Sequence, residues 1–463
     1  MKKSFSLLFV ILMITNSLVI AGFAPEKLVG VNSLAALQSA INRATPGEKI
    51  VLADGDYLAD IKIQISCKGS TLKPIVIAAK TVGGVEIKGS EGFEIGSSAA
   101  WVVIQGFKFT HLAGKTKIIA GANHCRITRN IFECPGKGAY LTVSGDDNQV
   151  DHNTFQNKFT EGQMISVQGP GGSEMAQRTW IHHNYFYKFT PTSNNCSSIQ
   201  VGLSGRSMAS AFTIVEYNLF SETRGENENI CNKSCDNIYR YNTFAAGVSE
   251  LSLRHGNHCQ VYGNFFIGSE GIRFYGDNHK ISNNYFERCS PAISIGNGDG
   301  LIPPDKLVMH DRPDSVQVVF NTLVNNKVNV IMAGRNNGLG ATFISFSNNI
   351  IQGGGPAVKI SGTIVQPVWA GNIIWHTDGA GTIPPEGYQS IDPQLKPDKN
   401  GVFHLVPGSP AIGKSTGSFP YITSDLDGQP RKGQPDVGAD QYSTAKITNS
   451  ILTTDEVGPN AKF

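Results

Sequence analysis

The sequence predicts an all-β protein built as a parallel β-helix, with a short helix capping its first coil. Charged residues make up only 16% of the 463 residues and glycine occurs 51 times, a composition rich in turns. A three-residue mark, Asn followed by two largely apolar or aromatic residues, recurs ten times at intervals of 20 to 37 residues. Short β-rich runs such as Val102-Val103-Ile104 lie between these marks. Together these observations favour stacked parallel strands over long helices.

The first predicted element is a capping helix from Ser33 to Ala44. Ser33 is an N-cap residue, and Pro46-Gly47 ends the helix before the predicted strand Ile50-Val51-Leu52 and the turn Asp54-Gly55. One apolar stripe runs along it, formed by Leu34, Leu37, Ala40 and Ile41. A stack of coils exposes a sheet edge at each end, which invites aggregation, so we expect this helix to cover the first coil.

The ten marks predict the coils themselves. Their asparagines are Asn130, Asn153, Asn184, Asn218, Asn242, Asn264, Asn284, Asn321, Asn349 and Asn372. Intervals of 20 to 24 residues suit one turn of a three-sided β-helix, and insertions lengthen the others. Asparagine tolerates the left-handed backbone of a sharp corner, and its amide can bond the Asn of the next coil. A propeller or a leucine-rich horseshoe is the alternative architecture, but neither carries this mark.

The two ends of the chain differ in character from the repeats. Residues 1–22 carry Lys2 and Lys3, then an apolar run, the layout of a cleavable secretory signal, with a membrane anchor as the alternative. The protein is therefore expected in the periplasm or outside the cell. Residues 23–442 are predicted to form a single β-helix domain with terminal caps, and 443–463 a polar tail. Near the end, Asp425-Leu426-Asp427-Gly428 and Asp436-Val437-Gly438-Ala439-Asp440 resemble turns of an irregular terminal cap.

Charge and cysteine usage narrow the function. A net charge of +2 gives no support to nucleic-acid binding and requires any acidic partner to be held by a local cluster. No segment after the signal is predicted to cross a membrane, and a monomer is expected. The eight cysteines lack the dense spacing of a small stapled domain, so both disulfides and buried free thiols stay open; they are Cys67, Cys125, Cys134, Cys196, Cys231, Cys235, Cys259 and Cys289.

Two glutamates predict a metal site. Glu226 and Glu228 are two residues apart, so on a strand both carboxylates point to one face, where a cation would relieve their repulsion. Oxygen ligands suit a hard cation such as Ca²⁺, which also accepts an amide oxygen from Asn194 or Asn195 of the preceding coil. The alternative is a pair of solvated surface glutamates.

Two basic residues follow at the spacing of one coil. Lys233 and Arg254 are 21 residues apart, so we expect them on neighbouring strands, about 4.8 Å from each other. A nearby cation and a metal favour the neutral form of a lysine, which a general base requires. His255 would point to the opposite face of a regular strand, which leaves it a structural or supporting role. Taken singly, each of these residues is a solvated surface side chain in most proteins.

These segments resemble polysaccharide lyase family 6, which contains alginate lyases and the dermatan-sulfate lyase chondroitinase B. The likeness covers Asn194 to Ile199, Glu226-Asn227-Glu228, Asn232-Lys233-Ser234 and Leu253-Arg254-His255-Gly256-Asn257-His258. It implies a right-handed parallel β-helix of the pectate-lyase type and β-elimination of a uronate. The roles it implies are Asn194, Glu226 and Glu228 as calcium ligands, Lys233 as Brønsted base and Arg254 as the cation beside it.

The resemblance also suggests the substrate. Arg273 and Tyr275, one coil beyond Arg254, match a region where the family grips a substrate carboxylate. Near His310 there is no glutamate to match one that the dermatan-acting member presents, so alginate is expected first and dermatan sulfate second. Two other classes stay open. A pectin-cleaving β-helix hydrolase needs paired carboxylates without a basic centre, and a secreted glycan-binding β-helix would hold only a structural calcium.

Overall fold

The computed structural model describes residues 27–191, 193, 195–225, 228–302 and 309–462. These residues contain one α-helix, α1 (Leu34–Arg43), two 3₁₀ helices (Ser204–Arg206 and Pro385–Gly387) and 44 strands. In chain order, β1 to β15 span Lys27–Val31, Glu48–Leu52, Gly55–Leu58, Ile63–Ile65, Ile75–Ala79, Val85–Lys88, Phe93–Ile95, Val102–Gln105, Phe107–Phe109, Thr116–Ile118, Arg126–Thr128, Ile131–Phe132, Leu141–Val143, Gln149–Asp151 and Thr154–Lys158.

The remaining strands continue the same pattern. β16 to β31 span Ile165–Val167, Trp180–His182, Tyr185–Phe189, Ile199–Gly202, Ile214–Glu216, Leu219–Thr223, Glu228–Lys233, Ile238–Arg240, Thr243–Ala245, Glu250–His255, Gln260–Tyr262, Phe265–Ile267, Ile272–Phe274, Lys280–Ser282, Tyr285–Glu287 and Ile293–Ile295. β32 to β44 span Gln317–Val319, Thr322–Val324, Val330–Met332, Ala341–Thr342, Ser345–Ser347, Ile350–Gln352, Val358–Ile360, Ile364–Val365, Val368–Ala370, Asn372–Trp375, Tyr388–Gln389, Leu395–Pro397 and Phe403–Leu405.

The strands form three long parallel sheets that stack as the sides of a β-helix, which confirms the predicted fold class. Sheet A has 14 strands from β1 to β40, sheet B has 14 strands from β3 to β42, and sheet C has 12 strands from β4 to β38. Through most of the stack every third strand joins the same sheet, so each coil contributes one strand to each side. The core lies between the sheets and is filled by the inward side chains of all three.

The capping helix is confirmed where the sequence predicts it. Ser33 Oγ accepts a hydrogen bond of 3.2 Å from the Ala36 amide, and Leu37, Ala40 and Ile41 are buried against the first coil. The structure adds one element that the sequence analysis missed. Strand β1 precedes the helix and pairs in parallel with β2, so sheet A begins before the cap.

The asparagine marks form a continuous ladder inside the stack. All ten asparagines are fully buried, and each of the first nine donates its backbone amide to the side-chain oxygen of the Asn one coil further on. The expectation that the Asn itself takes the left-handed backbone is wrong. The residue before it does so, for example His183 at φ 52° and Tyr217 at φ 51°, which frees the Asn amide for the ladder.

Aromatic side chains of the same marks form a second ladder in the core. Rings of neighbouring coils lie 4.6 to 5.3 Å apart between centroids and are almost parallel from Phe132 to Phe286. Each ring is the second residue after its Asn, since the first residue points outward from sheet B. The two ladders explain why the Asn-x-aromatic mark repeats once per coil.

Replacing Asn218 by alanine is expected to lower the free energy of unfolding by about 3 kcal/mol. Asn218 Nδ2 donates to Ile181 O and Asn242 Oδ1, each at 3.0 Å, and its own oxygen accepts from Asn184, so alanine leaves several buried groups unsatisfied. Urea unfolding monitored by circular dichroism measures the change. The exposed Asn336→Ala is the matched control and should change stability by less than about 0.5 kcal/mol; equal values for both variants would refute the role of the ladder.

The C-terminal part of the chain turns back over the outer face of sheet B rather than closing the end of the stack. Leu426 and Ala439 pack on Phe265 and Tyr285 of that face. Residues 443–462, predicted as a polar tail, also lie against sheet B of the β-helix. Their buried residue Leu452 packs on Leu219. A strap of this kind covers the outward aromatic and aliphatic side chains that β21, β27 and β30 would otherwise expose.

The acidic turns of this region hold the strap by backbone hydrogen bonds. Asp425 accepts from the Gln429 and Gln441 amides at 2.7 and 2.9 Å, and Asp436 accepts from the Gly413 and Tyr442 amides, both at 2.7 Å. The eight cysteines all lie in the described part of the chain; none of them forms a disulfide bond, and seven are buried. They pack as small apolar side chains.

Candidate active site

Sheet C brings together the residues that the sequence singled out. Its consecutive strands β19, β22, β25 and β28 carry the segments around Gln200, Lys233, Arg254 and Arg273. Gln200 pairs with Cys231, Cys231 with Ser252, and Ser252 with Arg273, so these four side chains form one row across four coils. The row lies on the solvent side, because the alternate residues such as Leu251 and Leu253 belong to the core. We call this surface the site face.

Two β-bulges reshape the pairing of β22 with β25. Glu228 pairs with Glu250 and Ile230 with Leu251, so Asn229 is an extra residue on β22. At the other end, Asn232 pairs with Leu253 and Lys233 with His255, which makes Arg254 the extra residue on β25. A bulge bends its strand and redirects the side chains beside it.

The second bulge corrects two expectations. Lys233 lies opposite His255 rather than opposite Arg254, and β25 is not a regular strand, so His255 does not point away from the site. The His255 ring stacks on His310 with centroids 5.6 Å apart, and His310 in turn contacts Tyr275 at 4.8 Å. Burial lowers the pKa of His255 to about 3, and the charges of His310 and Arg254 add to this effect. His255 is therefore a neutral imidazole beside Lys233.

The Arg-His-Gly segment ends in a glycine because its backbone lies very close to the backbone of the previous coil. Gly256 has φ of 88°, and a Cβ there would lie 2.2 Å from the Ser234 carbonyl oxygen of the previous coil. No other residue fits this position without moving the strand. The glycine thus allows Lys233-Ser234 and His255-Gly256 to stack closely.

Glu228 lies at the centre of a compact charged cluster on the site face. Its carboxylate oxygen is 3.3 Å from Arg254 Nη1 and 2.9 Å from Arg273 Nη2. Burial alone would raise the pKa of Glu228, but the two guanidinium groups hold it below its ordinary value. Glu228 is therefore an ionised carboxylate of which only 5% is exposed.

A second carboxylate, Glu250, was missed by the sequence analysis. Its oxygen Oε1 lies 2.8 Å from Arg273 Nε, while the Nε hydrogen points to Ser252 Oγ at 3.3 Å, so the contact with Glu250 is an ion pair. Burial raises the pKa of Glu250 above its ordinary value, and the Arg273 guanidinium opposes this shift. The alternation Glu250-x-Ser252-x-Arg254 on a predicted strand was the available signal, because it places all three on one face.

Lys233 stands at the edge of this cluster. Its backbone pairs with Gly202 on one side and with His255 on the other. Among the described residues its ammonium group makes no hydrogen bond or ion pair, although Glu228 and Arg254 are neighbours in the same cluster. A half-buried lysine without a fixed partner is available to a bound substrate.

Two of the three predicted metal ligands, Asn194 and Glu226, lie outside the described residues. Asn195, the alternative to Asn194, is exposed and has a left-handed backbone with φ of 63°. The ligand set would be Glu228 with these residues, an oxygen-only set that suits a hard cation such as Ca²⁺. The Glu228 carboxylate is buried and ionised, so it offers this set a charged oxygen ligand. The donor chemistry thus fits the predicted calcium.

A separate group of metal-binding residues lies in the C-terminal strap. His404, Asp427 and Asp440 each place a ligand atom within 4.8 Å of the others. The group packs over sheet B, whereas the predicted site lies on sheet C. The sequence around both aspartates predicts only turns.

Comparisons with known proteins identify the family and the fold of the chain. A family model described as Chondroitinase B matches residues 31–359. The solved structure of AlyGC, a family 6 alginate lyase, shares 25% identity and a TM-score of 0.71, covering 82% of this chain and 55% of that one. This chain therefore spans little more than half the length of AlyGC. A search of curated proteins returned no match.

Two further solved structures share the fold. A mannuronic-acid-specific family 6 lyase from human gut microbiota shares 23% identity and a TM-score of 0.69, over 79% of this chain and 91% of that one. The family 6 lyase Pedsa3628 from Pseudopedobacter saltans shares 18% identity and a TM-score of 0.65, over 94% of this chain and 100% of that one. Since the family model matches well over half of the sequence, the chain belongs to the chondroitinase B family of polysaccharide lyases, polysaccharide lyase family 6.

Proposed function

We propose that this protein is an exported, calcium-dependent lyase that cleaves alginate by β-elimination. The observation that carries the proposal is the site face, where Glu228, Lys233, Arg254 and Arg273 gather on three adjacent strands. A carboxylate, a base and two guanidinium groups are what elimination from a uronate requires. Family membership and the likeness to an alginate lyase at 25% identity support it.

The reaction begins with removal of the proton at C5 of a uronate. That proton is weakly acidic, because the adjacent carboxylate opposes the carbanion that forms. In the proposed mechanism Lys233 takes the C5 proton, the C5–H electron pair forms the C4=C5 double bond, and the C4–O bond breaks. The leaving oxygen takes up a proton from Arg254, a tyrosine or water, which gives an unsaturated sugar. Arg254 stabilises the developing negative charge beside Lys233. A Ca²⁺ held by Glu228 with Glu226 and Asn194 would neutralise the uronate carboxylate when bound.

Neutral His255 contributes to the same chemistry. It packs against Lys233 without adding a positive charge, and its ring is fixed by stacking on His310. Arg273 lies next to Tyr275, with its guanidinium 5.9 Å from the ring centre, and points along the site face toward the neighbouring coil. We assign it to a substrate carboxylate, since a guanidinium binds carboxylates in a fixed geometry.

Dermatan sulfate is the second candidate substrate within the family. His310 contacts Tyr275 and His255 at the border of the site, and the nearby sequence has no glutamate to match the one that the dermatan-acting member presents, which favours alginate. A β-helix that only binds glycans is the candidate from another class, and a hydrolase is disfavoured because Lys233 and Arg254 stand at the reaction centre. Export rests on the N-terminal segment, residues 1–22, which lies outside the described residues. No helix among the described residues could span a membrane.

One assay separates these candidates. The protein is incubated with alginate, dermatan sulfate or polygalacturonate, and the ultraviolet absorbance of unsaturated uronate is followed. We expect absorbance to rise with alginate. Reducing ends without absorbance would indicate a hydrolase, and the absence of both would indicate a binding protein.

Removal of the metal is expected to abolish the absorbance signal reversibly. EDTA should lower the rate on alginate by at least about 100-fold, because a bound cation supplies several kcal/mol of charge stabilisation. Added Ca²⁺ should restore the rate, and circular dichroism should show that the fold persists throughout. Full activity in EDTA would contradict calcium dependence and leave the lyase activity itself untouched.

A further inference from the structure

Arg273 is shared between two carboxylates that belong to different coils. Its Nη2 contacts Glu228 at 2.9 Å and its Nε contacts Glu250 at 2.8 Å, and both nitrogens lie within 3.3 Å of Ser252 Oγ. The guanidinium is therefore held from two sides on the site face. Only one of these two carboxylates, Glu228, belongs to the predicted ligand set.

Binding of the proposed cation changes this balance. A cation held by Glu228 would compete with Arg273 for that carboxylate and would repel the guanidinium. Arg254 adds a further positive charge nearby. Without another anion to hold it, Arg273 would move away from the site when the cation is bound.

Glu250 is placed to prevent this. It pairs with Glu228 across the β22–β25 ladder, and only 5% of it is exposed. Its carboxylate has no hydrogen-bond donor among the described residues, so the ion pair with Arg273 is its main compensation for burial. Burying a carboxylate lowers the stability of the fold, and this single contact compensates for little of that loss, which points to a functional role for Glu250.

We propose that Glu250 is a positioning residue that holds Arg273 beside the loaded site, ready to bind a uronate carboxylate. The inference rests on the proposed function, because it assigns Arg273 to the substrate. Glu228 would then bind the cation, and Glu250 would hold Arg273 by their ion pair. The bulge at Asn229 allows the two glutamates to take these separate roles. It places Glu228 opposite Glu250 while Ile230 and Leu251 stay in the core.

The test compares two substitutions of Glu250 in an inactive Lys233→Ala background. Glu250→Gln keeps the shape and removes the charge, so we expect the Kd for an alginate tetrasaccharide with Ca²⁺, measured by calorimetry, to rise about tenfold. Glu250→Asp keeps the charge and should stay within about threefold of the parent. In the active enzyme, Glu250→Gln should raise KM by a similar factor and leave kcat within about twofold.

A double-mutant cycle shows whether Glu250 acts through Arg273. Arg273→Ala alone should weaken binding about tenfold, and adding Glu250→Gln should weaken it no further. Glu216 is the matched control, since it is equally buried and paired with Arg240 on sheet A, and Glu216→Gln should leave the Kd unchanged.

The outcomes separate the inference from the function it rests on. If the Lys233→Ala parent binds and Glu250→Gln binds equally well, the positioning role is wrong and the proposed function stands. Full additivity with Arg273→Ala would also refute it, because Glu250 would then act elsewhere. If the parent does not bind alginate at all, both the function and the inference fail.

Discussion

Replacing Lys233 by alanine is expected to lower kcat on alginate by about 10³-fold, because the variant has no base for the C5 proton. The lysine makes no hydrogen bond or ion pair among the described residues, so its removal should leave the fold intact. The initial rate of ultraviolet absorbance measures the loss. The melting temperature from circular dichroism should stay within about 2 °C of wild type.

Lys359→Ala is the matched control for this result. Lys359 also points outward from sheet C, but it lies on β38, near the end of the stack and four strands beyond β25. Its replacement should leave kcat and KM unchanged. A Lys233→Ala protein that retained wild-type turnover would show that another group is the base, and His255 would then be the first alternative to replace.

Replacing Glu228 by glutamine is expected to have the second largest effect. The substitution removes the negative charge that now balances Arg254 and Arg273 and weakens the proposed calcium site. We expect the Ca²⁺ concentration for half-maximal activity to rise about 100-fold, and kcat at saturating Ca²⁺ to fall about tenfold or more. Calcium titration of the initial rate, with isothermal calorimetry of calcium binding, gives both quantities.

Glu94→Gln controls for the loss of a carboxylate on the same sheet. Glu94 lies on β7 and pairs with Lys62 at 2.8 Å, far from the bulged strands. It should leave the calcium requirement unchanged. If Glu228→Gln binds calcium like wild type, the cation is held elsewhere, and the group of His404, Asp427 and Asp440 becomes the first site to test.

The fold could be read from the sequence because its signals are periodic. Asn218 and Asn242 are one coil apart, and the same spacing recurs along the chain. The buried ladder requires an amide side chain at each step, so a repeat in the sequence reports a repeat in space. The backbone detail was wrong for a local reason. An Asn that bonds its neighbour in the ladder cannot also form the corner, and the preceding residue takes the left-handed conformation.

The candidate site was predicted only in part. Lys233, Arg254 and Arg273 could be placed on neighbouring strands because one coil is about 20 residues long. Glu228 and Lys233 are five residues apart, so a regular strand would send them to opposite faces, and the bulge at Asn229 changes this. Their roles came from the family resemblance rather than from spacing. Glu250 escaped notice because a lone glutamate carries no motif, and its importance depends on Arg273, 23 residues away.

The sequence by itself determined the β-helix, its coil spacing and the sheet on which the charged residues gather, because each follows from a period along the chain. Only the tertiary structure decided the pairing within that sheet. The bulges at Asn229 and Arg254 set Lys233 against His255 and bring Glu250 opposite Glu228. A bulge depends on how one strand lies against its neighbour, and that register is a relation between coils that no distance along the chain contains.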